Sequence, residues 1–277
     1  MVDPQMCDII PGMAPGSGGK VHNDEVDWGH FDADEYYRHN YLKLRADDEE
    51  ILGFVRDHFA SLLDGRDLPA GYRGIDVGTG PNLYPALSML PFCDNVTLFE
   101  HAEPNISWLQ DQKRNTWPSW STAWHQFWDV LRAQQAYARI TDPRSVLAKR
   151  VEIHQGNVYE LKTLAPFNVG TMFFVAESIT GQESEFRSAM DHFLDVLAPG
   201  APFAIALMEH STGYHVADSH FPATDIDEGA VSSCFRNRVS SISIKHIDVG
   251  ARPLRDGYTG MLIALGQMRD GEDRALT

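Results

Sequence analysis

Cysteine is scarce in this 277-residue sequence: Cys7, Cys93 and Cys234 are scattered and form no CxxC pair. An odd, dispersed set excludes a disulfide framework and a zinc knuckle. Positive charge is short as well, with 23 Lys and Arg against 39 Asp and Glu and a formal net charge of −16. Binding through phosphate neutralisation needs the opposite balance, so no nucleic-acid partner is expected. No apolar run approaches the roughly 18 residues of a membrane span, and the opening residues MVDPQMCDII carry neither the basic nor the apolar segment of a secretory signal. The expectation is a cytoplasmic protein without a membrane partner; the oligomeric state stays open. What is present is globular material, 43% hydrophobic, 10% aromatic and 22% charged, enough for one large domain or a domain with a small cap.

Six of the nine residues in PGMAPGSGG (11–19) are Gly or Pro, and almost nothing there could be buried, so residues 1–26 read as a flexible leader. Residues 27–70 read as an N-terminal helical lid, with Ile51, Leu52, Val55, Phe59, Leu62 and Leu63 recurring at helical spacing. The acidic run Asp47–Glu50 suits the start of a solvated helix, where negative charge complements the dipole. From residue 71 to 277 the pattern alternates. Strand candidates fall at 73–77, 96–100, 151–156, 169–176, 203–208, 240–247 and 261–268, with helices at 82–90, 184–197 and 227–235 between them. Such alternation predicts an α/β fold: a Rossmann-like, doubly wound, mainly parallel seven-strand sheet. The last two strands are separated by a turn-rich stretch too short for a crossover helix, so they should pair antiparallel.

The first strand runs into IDVGTGP, at the strand end where doubly wound sheets hold ligands. Gly78 and Gly80 would let the backbone approach a nucleotide-like ligand. A dinucleotide site also wants a third glycine for the pyrophosphate, yet the G-x-G-x-x-G frame ends on Leu83. A nicotinamide-dependent oxidoreductase is therefore the less favoured reading. Glu100 ends the second strand twenty positions after Gly80, where a carboxylate can accept from both hydroxyls of a ribose. A ribose without a pyrophosphate points to S-adenosylmethionine.

IDVGTGPNLYPALS resembles the glycine motif of the small-molecule amine methyltransferases that include phenylethanolamine, nicotinamide and indolethylamine N-methyltransferases, the NNMT/PNMT/TEMT family. Upstream, YYRHNY is similar to the family's two tyrosines five residues apart. Downstream, AESITGQESEFRSAMDHFLDVLAPG is similar to its acidic residue, helix and Pro-Gly turn. The resemblance spans roughly residues 31–268. It implies a methyltransferase using S-adenosylmethionine, with Gly78, Thr79, Gly80 and Tyr84 around the methionine end, Glu100 on the ribose and Asn105 close by. Tyr36 and Tyr41 would close over the cofactor. Where the family places Asp-Val near the adenine this chain has Asn157-Val158, which keeps an acceptor and drops a charge.

Methyl transfer from a sulfonium needs positioning, not a metal or a covalent nucleophile. An aliphatic amine must first lose its proton, which a carboxylate can orient and accept. Glu177, at the family's acidic position, is the leading candidate; Glu209 ranks second and Asp256 third, as substrate contacts. The acceptor is expected to be a small amine, with O- or S-methylation as the alternative in the same class and a noncatalytic cofactor-binding module as the alternative outside it. Trp117, Trp120, Trp124 and Trp128 are spaced like one helical face and read as packing. His210, His215 and His220 lie five apart, which is not the spacing of a helical ligand pair, so no metal site is expected.

Overall fold

A computed structural model describes residues 20–164, 166–250 and 253–271. The expected leader is only partly covered. Residues 1–19 lie outside the described residues, whereas 20–26 pack onto the body: Asn23 is buried, donates from its side chain to Ile179 O at 3.0 Å and from its backbone to Glu185 Oε2 at 2.9 Å. The described residues thus begin inside the stretch expected to be flexible, and those at 20–26 are packed.

Seven strands form one sheet: β1 (Arg73–Val77), β2 (Asn95–Glu100), β3 (Val151–Gln155), β4 (Val169–Phe173), β5 (Pro202–Glu209), β8 (Val239–Asp248) and β9 (Gly260–Met268). Two short strands, β6 (Tyr214–Val216) and β7 (Ser219–Phe221), pair antiparallel as a separate hairpin that sequence patterning missed. The sheet order is β3-β2-β1-β4-β5-β9-β8, with β1 to β5 parallel and β9 antiparallel to both neighbours. The order reverses between β1 and β4, where a crevice opens at the strand ends.

The central strands are buried on both faces, which is why they read as near-continuous apolar runs. Ala204, Ala206 and Met208 of β5 face one core, and Phe203, Ile205 and Leu207 face the other. Each of the larger of these side chains contributes about 1.5–3 kcal/mol on burial. On the first face pack α1 (Ala33–Asn40), α2 (Ala46–Leu63), α3 (Tyr84–Met89), α4 (Glu103–Arg114), α5 (Trp124–Leu131), α6 (Gln135–Ala138) and α7 (Pro143–Arg150); α8 (Glu183–Asp195) and α9 (Glu228–Ser233) cover the second. Asp32 caps α1 by accepting from Glu35 N at 2.9 Å.

Three expectations change. The fourth strand stops at Phe173, because Phe174 adopts a left-handed backbone (φ 59°) that turns the chain toward the crevice. The four tryptophans do not share a helix: Trp117 is left-handed at φ 54°, Trp120 lies in a 3-10 turn, and Trp124 and Trp128 lie in α5. Trp117, Trp124 and Trp128 are nevertheless core, as their packing role required. The acidic run does start α2, but Asp48 is buried and not solvated.

Candidate active site

The first cleft occupies the crevice at the ends of β1, β2 and β4 and encloses about 770 Å³, part of it open to solvent. Of the expected cofactor residues, Tyr36, Tyr41, Gly78, Thr79, Gly80, Glu100, Asn105, Asn157 and Val158 all line it.

Its floor is wired through backbone. Gly78 (φ +66°) and Gly80 (φ +51°) take left-handed conformations, and a Cβ on Gly78 would come within 2.4 Å of Val175 Cγ2. Only glycine satisfies both the conformation and the approach. Gly78 N donates to Phe99 O at 2.7 Å, closing the turn on the end of β2. One residue on, the buried Glu100 accepts from Gly80 N at 2.7 Å through Oε2 and from His101 N and Ala102 N, both at 2.8 Å, through Oε1. Burial raises its pKa, while these N–H groups and the Asn105 side chain pull it back. Glu100 therefore fixes the glycine turn first, and a ribose would share a carboxylate already in use. Asn105 Oδ1 is the free acceptor beside it, buried with no partner. Asn157 Oδ1 is partly committed too, capping a 3-10 turn by accepting from Tyr159 N at 3.0 Å.

Tyr84 is a correction. It is the first residue of α3 and points into the lid-side core, stacked on Phe127 at 5.2 Å, and it does not line the cleft. Pro81 and Asn82 form the wall where Tyr84 was expected. Leu83, in place of the third glycine of a dinucleotide site, is fully buried.

The roof is aromatic. Phe31 packs on Tyr36 at 5.1 Å and on Phe221 of the hairpin at 5.2 Å, and Trp28 stacks on Phe221 at 5.3 Å. Tyr214 also stacks on Phe221, at 5.4 Å. Tyr36 meets Tyr41 edge-on at 5.9 Å, so the two expected lid tyrosines do come together. Trp28, Phe31, Tyr214 and Asn23 line the cleft and were not foreseen. The aromatic cluster WGHF just ahead of the α1 cap was the available signal. Trp28 Nε1 is a buried donor without a partner.

A second cleft of about 940 Å³, also open to solvent, adjoins the first; Tyr36 and Tyr214 belong to both walls. Glu177 lies in the loop between them and is fully buried, lining neither cleft. Its neighbours Val175 and Ile179 line the first cleft, while Ser178 lines the second. Oε1 accepts from Met208 N at 3.0 Å and from Ser178 Oγ at 3.2 Å; Oε2 has no partner. Burial pushes the Glu177 pKa up to about 7, against the pull of Met208 N–H, its own N–H, Ser178 and Arg255. A direct substrate contact thus requires the Tyr36–Tyr214 partition to shift. Glu209 lines neither cleft and accepts instead from Thr259 Oγ1 at 3.1 Å, with His246 Nε2 at 3.0 Å. Asp256 is exposed on the wall of the second cleft. Among the described residues no His, Cys, Asp and Glu group could hold a metal, and no helix is long and apolar enough to cross a membrane. His210 pairs with Asp225 at 2.7 Å, and His215 faces His220 across the hairpin at 4.9 Å.

Comparison with known proteins adds to this geometry. The model of the NNMT/PNMT/TEMT family matches residues 20–258. The phenylethanolamine N-methyltransferase of Macaca mulatta is 22% identical over 252 residues, covering 81% of this chain and 84% of that one. Among solved structures, an S-adenosylmethionine-dependent methyltransferase from Clostridium acetobutylicum shares the fold at a TM-score of 0.53 and 8% identity, covering 85% of this chain and 96% of that chain. The N-methyltransferase NodS of Bradyrhizobium japonicum, solved with S-adenosyl-L-homocysteine, is a weaker likeness, with a TM-score of 0.47, 12% identity, and 82% and 90% coverage.

Proposed function

The chain belongs to the NNMT/PNMT/TEMT family, and on that premise we propose that it transfers a methyl group from S-adenosylmethionine to the nitrogen of a small-molecule amine. Family and fold make it a methyltransferase with S-adenosylmethionine as cofactor, and they set the oxidoreductase reading aside. The first cleft fits that cofactor: a glycine turn that tolerates no side chain, a buried carboxylate, a free acceptor at Asn105 Oδ1 and a free donor at Trp28 Nε1.

When bound, the cofactor supplies a sulfonium methyl open to in-line displacement. The protein's work is then to bind, orient and deprotonate. Gly80, Glu100 and Asn105 hold the floor, while Trp28, Phe31 and Tyr36 keep water from the reacting end. The observation that carries the amine reading is Glu177, buried at the partition with one oxygen unpartnered. An ammonium entering beside it finds a carboxyl whose pKa of about 7 suits proton exchange near neutrality. Glu177 Oε2 would accept the proton from the nitrogen, and the bound cofactor would supply the methyl to the freed lone pair at the expense of its own C–S bond, giving the N-methylated amine and S-adenosylhomocysteine.

A labelled-methyl turnover screen against amines, pyridines, phenols and thioethers tests the acceptor class. With an aliphatic amine, Glu177→Gln should lower turnover by about 10²–10⁴-fold, the usual range for a general base, at unchanged cofactor affinity. Raising pH should partly rescue it, because more amine is then neutral in solution. Turnover confined to phenols or thioethers would replace N- by O- or S-methylation, and cofactor binding without turnover on any acceptor would leave a binding module. Wild-type turnover of an amine by Glu177→Gln would remove the carboxylate from the reaction.

A further inference from the structure

Arg255 stands on the wall of the second cleft, half-buried, and is bonded unlike Arg56, Arg150 and Arg238. Arg238 bonds Asp191 and Asp195, Arg56 bonds Asp57 and Val130 O, and Arg150 bonds Leu90 O at 2.7 Å. Arg255 instead donates through Nη2 to the Met208 thioether at 2.9 Å and the Ser211 hydroxyl at 3.1 Å, both weak or neutral acceptors. Its Nε is buried with no partner, and among the described residues no carboxylate lies within ion-pair distance of it. The half-buried Arg73, Arg144, Arg150 and Arg269 also lack a carboxylate partner; what sets Arg255 apart among the described arginines is a buried guanidinium nitrogen with no partner, on the wall of this cleft. Its Cζ lies over the Tyr214 ring, 4.7 Å from the centroid. Nε–H is unused but buried, so a carboxylate entering the cleft would gain paired, charge-assisted hydrogen bonds from this edge by displacing the Ser211 hydroxyl from Nη2.

Met208 ties this cation to the candidate base. Its backbone N–H bonds Glu177 Oε1 at 3.0 Å and its sulfur accepts from Arg255, so the two opposite charges flank one residue at the end of β5. We propose that the second cleft is the acceptor site and that Arg255 binds a carboxylate on the acceptor, making the substrate class a small zwitterion with an amine at one end and a carboxylate at the other. This rests on the amine-methylation reading, and it adds a specificity-determining residue to it. A plain cationic amine meets repulsion from Arg255, which a carboxylate turns into attraction.

The test uses the full chain with S-adenosylmethionine and matched acceptor pairs: an amino acid, the amine left when its carboxylate is removed, and its methyl ester. In the wild type kcat/KM should favour the free carboxylate at least about tenfold, as one charge-assisted contact allows. Arg255→Gln should collapse that preference toward unity, and Arg255→Lys should keep part of it, since the charge remains while the paired geometry is lost. Calorimetric binding of S-adenosylhomocysteine reports that each variant is folded with an intact first cleft. A wild type that prefers the decarboxylated amine overturns the proposal, as does an Arg255→Gln enzyme that slows all three acceptors by the same factor. Should phenols or thioethers turn over where no amine does, the amine reading fails by itself, and carboxylated and uncarboxylated pairs of that class decide the role of Arg255 separately.

Discussion

Two buried carboxylates flank the first cleft, and they are held in opposite ways. Glu100, at the end of β2, accepts three backbone N–H groups and is tied to the turn whose shape it sets. Glu177, in the loop after β4, accepts one backbone N–H and one hydroxyl through a single oxygen and leaves the other bare. Burial raises both pKa values, but only Glu177 is carried to about 7 with a partnerless oxygen. A carboxylate wired to backbone is a fixed acceptor that builds a site; an under-bonded one is free to exchange a proton. The floor of the cleft is thus a structural device, and the proposed base sits behind the roof.

The contrast can be broken most sharply at the floor. Gly78→Ala places a Cβ within 2.4 Å of Val175 and forces a left-handed alanine, so the turn must move. A displacement near 1 Å at such a site costs about 100-fold in rate, and methyl transfer should fall by that factor or more. Adding Val175→Ala should recover part of the loss, since it relieves the contact and not the backbone strain; no recovery in kinetics of the double variant would show that the collision is not the cause. Next in size is Glu100→Ala. It strands three N–H donors, each costing about 1–3 kcal/mol when left unpaired in the interior. Both thermal stability and cofactor affinity should drop together, the affinity by about tenfold to a hundredfold. A variant that loses affinity but keeps the wild-type Tm would mean that Glu100 serves the ligand alone and not the turn.

The floor was also the part that could be read from sequence. Its elements are consecutive, strand, glycine turn, helix and strand, and Gly78, Gly80 and Glu100 carry their geometry in residue type and spacing. The sheet was legible for the same reason, because strands buried on both faces announce themselves as apolar runs. The roof was not. It joins Asn23, Trp28 and Phe31 from ahead of the lid helix to Tyr214 and Phe221 of a short hairpin nearly two hundred positions away, and no local period encodes such a meeting. Tyr84 failed for a smaller reason: the cleft wall ends at Pro81 and Asn82, and from Leu83 into the first turn of α3 the chain is packed in the lid-side core. Glu177 was found by resemblance, but its burial behind Tyr36 and Tyr214 depends on that same roof.

Roof variants should therefore have milder and separable effects. Trp28→Phe keeps the ring that stacks on Phe221 and removes the unpartnered Nε1–H. If that donor meets the cofactor, affinity should fall about threefold to tenfold, the worth of one hydrogen bond of roughly 0.5–1.5 kcal/mol, with stability unchanged. Calorimetry with S-adenosylhomocysteine reads it, and an unchanged Kd would leave Trp28 as packing only.

The smallest expected effect asks whether the under-bonded state of Glu177 is peculiar to catalysis or general to acids buried at this end of the sheet. Asp48, beneath the lid, and Asp76, on β1, are likewise buried and pushed up to about 7, mainly by desolvation. For Asp48 the neighbouring Asp47 adds to the rise, while Tyr84 and Arg45 oppose it. A carboxyl whose pKa is raised on folding binds its proton more tightly in the native state than in the unfolded chain. Its contribution is therefore most favourable below the usual carboxylate range, is lost as pH climbs from about 4 to about 7, and levels off above that. Asp48→Asn keeps the shape of the side chain and removes the titration. It should flatten the fall of Tm between pH 5 and 8 and leave the variant more stable than wild type at pH 8. The gain should be about 1.4 kcal/mol for every tenfold by which folding tightens proton binding at this carboxyl. Asp76 and Glu177 still titrate, so part of the slope should survive. A Tm profile identical to wild type would mean that Asp48 stays ionised in the folded protein through its link to Arg45, and Glu177 would then differ in kind from at least one of its buried neighbours.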